Sequence, residues 1–183
     1  MKSIKSKLLF CAIVLCLAAV VVPVIAKGPH EPPGKSKKAA HLYLYQKDPA
    51  NWQIVEGGAW GKMTFNPEGS TFDFVFNGHG LEQYTKYTLI YYPDPWPGKN
   101  LICLGSGTSN RGRNVHIERS VDTGPLPDPN DQNYPDGAKI WLVLFDDVRC
   151  GDEQTEAMMI GWNPTQYLFE HNLITFPFND TDE

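Results

Sequence analysis

Hydrophobic and polar residues alternate through much of this chain, the period of two expected of strands with one buried face. In "GKMTFNPEGSTFDFVFNG", Met63 and Phe65 alternate with Lys62, Thr64 and Asn66. Phe72, Phe74 and Phe76 then alternate with Thr71, Asp73 and Val75. The intervening "NPEGS" holds turn residues, so the stretch predicts a hairpin that buries an aromatic face. Further strands are expected over 41–46, 51–56, 86–92, 100–105, 113–118, 138–145 and 172–178. Helix signals are nearly absent. "NPTQYLFEH" is the one good start, with Asn163 as N-cap, Pro164 at the first helical position and Gln166 completing a capping box. It predicts a connecting helix of about two turns, because "NLITFPF" then resumes strand character. Residues 124–137, "GPLPDPNDQNYPDG", read as a proline-broken loop. Many short strands separated by turns predict an all-β sandwich with one short connecting helix.

One motif sharpens that fold. "GLEQYTKYTLIYY" places Gly80, Leu81, Thr85 and Tyr87 at the spacing G-L-x-x-x-T-x-Y ahead of an alternating strand. It resembles the tyrosine corner of fibronectin type III and related Ig-like sandwiches, although Gln83 stands where those domains often carry proline. The resemblance implies a Tyr87 hydroxyl bonded to the backbone just upstream. It implies no activity.

The N-terminus carries a different pattern. Lys2, Lys5 and Lys7 precede an apolar run from Leu8 to Val22, and Val24-Ile25-Ala26 supplies small residues for a peptidase. Residues 1–26 are therefore expected to be a cleaved secretory signal, the run being short of the about 20 residues of a spanning helix. An uncleaved anchor is the alternative. "KGPHEPPGKSKK", residues 27–38, has almost nothing to bury and reads as a flexible tail. The folded domain is expected over 39–178, with an acidic tail at 179–183 that holds the sequon Asn179-Asp180-Thr181. No transmembrane segment is expected after signal cleavage. In an exported domain, Cys103 and Cys150 are first a disulfide candidate. A metal or catalytic thiol is the alternative, but no CxxC or nearby histidine supports it.

Charge narrows the partners. Residues 39–121 balance seven basic against seven acidic side chains, whereas 122–183 hold only Lys139 and Arg149 against thirteen acids. That argues against nucleic acid, whose phosphates require a basic face. "GHGLEQYTKYTLIYYPDPWPG", "LICLGSGTSNRGRNVHI", "GAKIWLVLFDDVRCG" and "GWNPTQYLFEHNLI", taken together, are similar to uncharacterised secreted proteins found notably in methanogenic archaea. The similarity covers most of residues 55–178. It implies an exported, extracytoplasmic β domain in which Cys103 pairs with Cys150, and it brings no known reaction.

Motifs that could carry chemistry are few. "GSGTSNRG", residues 105–112, is followed by a strand and not by the helix a phosphate loop needs, so it reads as a hairpin turn. Histidines show no metal-ligand spacing; His79 in "NGHG" reads as an exposed loop residue. "DPNDQNYPDG" offers hard-oxygen ligands, Asp128, Asn130, Asp131 and Asp136, that suit calcium, but lacks the EF-hand glycine; a turn cluster is the plainer reading. No cofactor is expected beyond that calcium option. Asp146 and Asp147 are adjacent, and Glu82, Asp94 and Glu118 are scattered, so no acid pair for glycoside hydrolysis is visible.

"YYPDPWPGKN", residues 91–100, remains. Tyr91 and Tyr92 should point to opposite sides of a strand, and Pro95 and Pro97 bracket Trp96. Tyr92, Asp94, Trp96 and Asn100 form the candidate carbohydrate surface, because sugar C–H faces pack on flat indoles while Asp and Asn bind hydroxyls. A Trp96 that merely caps one end of the sandwich is the plainer alternative. Together these residues predict an exported, non-catalytic binding or cell-envelope module whose partners are envelope polysaccharide or a surface protein. A secreted polysaccharide hydrolase and a calcium-dependent adhesion domain are the alternatives.

Overall fold

A computed structural model of the chain describes residues 39–152 and 154–177. The expected signal (1–26), the tail (27–38), and the C-terminal tail with its sequon lie outside the described residues. So do Glu153 and Phe178. Among the described residues no helix is long and apolar enough to cross a membrane.

The fold is all-β. Eight strands form one antiparallel sheet: β1 (Ala40–Tyr45), β2 (Trp60–Phe65), β3 (Phe72–His79), β4 (Lys86–Tyr92), β5 (Ile102–Thr108), β6 (Val115–Val121), β7 (Lys139–Leu144) and β10 (Leu168–Glu170). Their order in the sheet is β5-β4-β7-β10-β1-β2-β3-β6. Two short strands, β8 (Val148–Arg149) and β9 (Met158–Met159), form a separate hairpin. The predicted hairpin is β2–β3, with Met63 opposite Phe76 and Phe65 opposite Phe74.

The sheet curls until its edge strands β5 and β6 meet, nearly closing a barrel. "GSGTSNRG" makes that closure possible. Gly105 and Gly107 lie within β5, where an added Cβ would come within 2.9 Å of Ile117 and 2.8 Å of Val115 on β6. The turn itself comes after them, at 111–113, so these two glycines serve close packing and not chain reversal.

Three expected elements differ. Residues 51–56 form no strand; all are exposed, with only a Lys47–Ile54 bridge nearby, so no buried face stabilises one. Residues 172–177 contribute only bridges, at Ile174 and Phe176. The connecting helix shrinks to a 3₁₀ turn, Pro164–Gln166, without a side-chain cap. The Asn163 amide donates instead to Asp147 Oδ2 at 2.8 Å. Past the turn, Leu168 joins the inner core and Phe169 the outer one, an alternation only a strand provides.

The two cores explain why β4 is buried at every position after Lys86. Inside the curl lie Leu42, Met63, Phe72, Phe76, Leu89 and Tyr91 among others. Outside it, Ile90, Tyr92, Trp141, Val143, Tyr167 and Phe169 pack beneath Val148 and Met159. Tyr91 and Tyr92 therefore do point oppositely, yet both are covered. The Cys103–Cys150 disulfide ties the outer cover to β5.

The corner is formed: Tyr87 is buried, and its hydroxyl accepts the Glu82 N–H at 3.2 Å. Tyr87→Phe leaves that N–H without its acceptor and is expected to cost about 1 kcal/mol in urea unfolding. Breaking the disulfide by Cys103→Ser releases a loop spanning 47 positions. The expected loss is up to about 4 kcal/mol, read as a lower melting temperature in oxidising buffer. An unchanged melt would show that the bond adds little to the fold.

Candidate ligand-binding cleft

Antiparallel register sets a row of aromatic rings across the outer face. Phe169 on β10 sits opposite Trp141 on β7, and Tyr92 on β4 lies two positions along from Ile90, Trp141's other neighbour. Tyr92 stacks on Trp141 with centroids 3.9 Å apart and planes 11° from parallel. Phe169 meets Trp141 edge to face at 5.2 Å.

Two loops and a turn raise walls around this floor. Trp96 rises from the 93–100 loop, Trp52 from the loop after β1, and Trp162 from the segment before the 3₁₀ turn. Trp96 meets Trp162 edge to face at 5.3 Å, and Trp52 meets Phe169 likewise at 5.2 Å. Such pairs contribute about 0.5–1.5 kcal/mol each, enough to hold exposed rings in place. Trp52, Trp96 and Trp162 remain 49%, 52% and 42% exposed. Trp52 also takes a left-handed backbone conformation, φ 59°, which costs a bulky residue about 1–2 kcal/mol. Such strain gathers at ligand sites.

The 93–100 loop is fixed from below. Gly98 crosses so close to the Tyr92 ring that an added Cβ would sit 2.4 Å from it. The Met159 N–H donates to the Pro97 carbonyl at 2.9 Å, and the Asn100 N–H to the Ala157 carbonyl at 3.0 Å. The hairpin cover thus grips the loop that carries Trp96.

The resulting cleft has a volume of about 590 Å³, within the range of small-molecule sites. Four of the chain's five tryptophans line it, with Tyr92, Phe169 and four charged groups: Lys47, Asp94, Lys139 and Glu170. Asp94 Oδ2 accepts from Lys139 Nζ and, at 2.8 Å, from the Asn133 amide. The Lys47 ammonium donates to the Glu170 main-chain carbonyl at 2.9 Å. Burial pushes the Glu170 carboxyl up to about 7, against the opposing pull of its own backbone N–H, Lys47, Trp141 and Lys139.

Of the residues expected from sequence, Tyr92, Asp94 and Trp96 come together here. Asn100 does not line this cleft; it meets Asp94 and Trp96 in a neighbouring groove that those two also line, with Lys99, Asp128, Asn130 and Asp131. Tyr91 donates to Asp131 Oδ2 at 2.6 Å, and Asp131 Oδ1 accepts from the backbone of Asp94 and Asn133. Asp128 Oδ1 accepts from Asn130 N at 2.7 Å, and Asp136 is exposed. These acids build turns. Among the described residues no three His, Cys, Asp or Glu side chains gather as a metal site. His79 ends β3, its ring 4.6 Å from that of Trp60 and bonded to Asn114. Trp52, Trp141, Trp162, Phe169 and Glu170 escaped the sequence reading. Only Trp52 and Trp162 carried a local signal, a tryptophan with no apolar residue on either side of it in sequence.

Glu170 sets a pH dependence. Between pH 4.5 and about 7 the folded chain keeps a proton that the unfolded chain releases, so stability falls as pH rises through that window. Glu170→Gln removes the effect and is expected to add on the order of 2 kcal/mol above pH 7. Denaturant melts of both proteins should converge as the pH falls to about 4.5. No family model, curated protein or solved structure matches this chain significantly, so the cleft is interpreted from its own geometry.

Proposed function

We propose that the chain is an exported, non-catalytic binding module whose tryptophan cleft takes carbohydrate, on the cell envelope or in extracellular polysaccharide. The observation that carries this reading is the convergence of four tryptophans, three of them substantially exposed, on one cleft. Exposed rings held rigid offer flat apolar faces to sugar C–H groups. Two ammonium groups and two carboxyl groups share the cleft, so its formal charge is balanced when Glu170 is ionised, which suits an uncharged ligand. The signal-like N-terminus and the resemblance to secreted archaeal proteins support export. The Tyr87–Glu82 bond supports placing the curled sheet near the fibronectin-like sandwiches.

A second reading, hydrolysis of the bound polysaccharide, draws on Asp94 and Glu170 lining the same cleft in contrasting surroundings. Binding is preferred because Asp94 commits Oδ2 to both Lys139 and Asn133.

Pull-down of residues 27–183 on isolated cell envelopes, cellulose and chitin separates these readings. Retention is expected, with at least tenfold loss in Trp96→Ala and in Trp162→Ala, by analogy with aromatic anchors at other recognition sites. Reducing sugar released over time, and abolished by Glu170→Gln, would establish the hydrolase instead. Equal retention of all three forms would remove the cleft from recognition.

A further inference from the structure

The tryptophan cleft does not end at Trp96. A second hollow of about 410 Å³ adjoins it, and Asp94 and Trp96 line both. The two differ in chemistry. Indoles wall the cleft, whereas the groove sets Trp96 and the prolines at 93, 95 and 97 beside Lys99, Asn100, Asp128 and Asn130. Those four polar side chains are exposed, so a ligand reaches them without any rearrangement.

They are also held still. The Asn100 N–H donates to the Ala157 carbonyl at 3.0 Å, and Lys99 pairs with Glu156 at 3.4 Å. The main-chain and side-chain amides of Asn130 both donate to Asp128 Oδ1, at 2.7 and 2.9 Å. Buried Asp131 accepts the Asp94 N–H at 3.2 Å, which ties this turn to the loop that carries Trp96. A groove fixed before binding loses little freedom when it is filled.

What these bonds leave free defines the ligand. Among the described residues the Asn100 side-chain amide has no partner, and it offers both donors and an acceptor. Polar groups of both kinds beside proline and indole surface match a molecule with C–H faces and hydroxyl edges. Charge narrows the choice. Lys139 offsets Asp94 and Glu156 engages Lys99, so Asp128 and Asp131 leave the groove negative. A chain carrying carboxylates or sulfates meets like charge there.

Resting on the carbohydrate reading above, we infer that the ligand is an uncharged polysaccharide chain bound across Trp96, one stretch in the tryptophan cleft and the next in the groove of Asn100 and Asn130. The cleft grips sugar faces, and the groove reads hydroxyls farther along the same chain. A single sugar engages one hollow only. Binding two linked stretches makes the second contact intramolecular, so affinity grows with chain length.

The test is calorimetric titration of neutral cello-, manno- and chito-oligosaccharides, from disaccharide to hexasaccharide, into the protein. Affinity is expected to rise roughly tenfold or more from the shortest binder to a chain that fills both hollows, and then to level off. Asn100→Gly removes the amide and suits the left-handed backbone there, φ 64°. Combined with Asn130→Ala, it is expected to cancel most of the rise and to leave the shortest binder unchanged. Trp162→Ala, which alters the cleft alone, should weaken every length. An oligogalacturonate is expected to bind roughly tenfold or more weakly than a neutral chain of equal length. Thermal melts establish that every variant is folded.

A rise with length that survives both groove substitutions reflects only the greater number of registers a long chain offers. It refutes the extension across Trp96 and leaves the carbohydrate reading standing. An affinity that does not change with length does the same. Equal binding of the galacturonate overturns the assignment of an uncharged ligand. If no oligosaccharide of any length or charge binds, the carbohydrate reading falls and the inference falls with it.

Discussion

The outer face of β4, β7 and β10 is apolar, and the rest of the structure depends on covering it. A curled sheet needs only one buried face to fold, and here the inner face already has a full core. Ile90, Tyr92, Trp141, Val143 and Phe169 present a second apolar surface on the same strands. Left in water it would form a patch of the kind that drives association. Residues 145–152 and 154–167 and the 93–101 loop fold back over it, and neither stretch has regular structure enough to hold itself there.

What holds them is a pair of similar bonds. Tyr167 donates to the buried Asp147 at 2.6 Å and accepts the Asn163 N–H, and Tyr91 donates to the buried Asp131 at 2.6 Å and accepts the Asp128 N–H. Burial pushes both phenols to higher pKa, and the neighbouring carboxylates push the same way, so each stays a donor. Bonds to an ionised acceptor are the stronger sort. The first anchors the cover and with it Trp162; the second anchors the 128–137 loop, whose Asp131 in turn accepts the Asp94 N–H of the 93–101 loop at 3.2 Å. Placement of the cleft follows from these two anchors and from the disulfide.

Strand pattern was readable wherever one face was buried and the other wet, as in Met63 to Phe76. It misled where that condition failed. At 164–170 a capping-box spelling stood in front of Leu168 and Phe169, but the two must reach opposite cores, and Asn163 is drawn away to Asp147. At 128–136 the acids that suit a cation also suit turns, and only the position of Tyr91 shows which use Asp131 serves. The aromatic loop announced Trp96, whereas its companions come from segments far apart in the chain. Trp52, Trp141 and Trp162 have no local pattern in common; register across β4, β7 and β10 brings Tyr92, Trp141 and Phe169 together, and no stretch of sequence contains that information.

The inner core and the lining of the cleft share no residue. Selection can therefore act on them separately. Exchange of a wall tryptophan, or of the polar groups beneath it, leaves the packing inside the curl untouched. A lineage carrying this curled sheet could follow a changing environment by altering loops around a constant body, much as one tool handle accepts different heads.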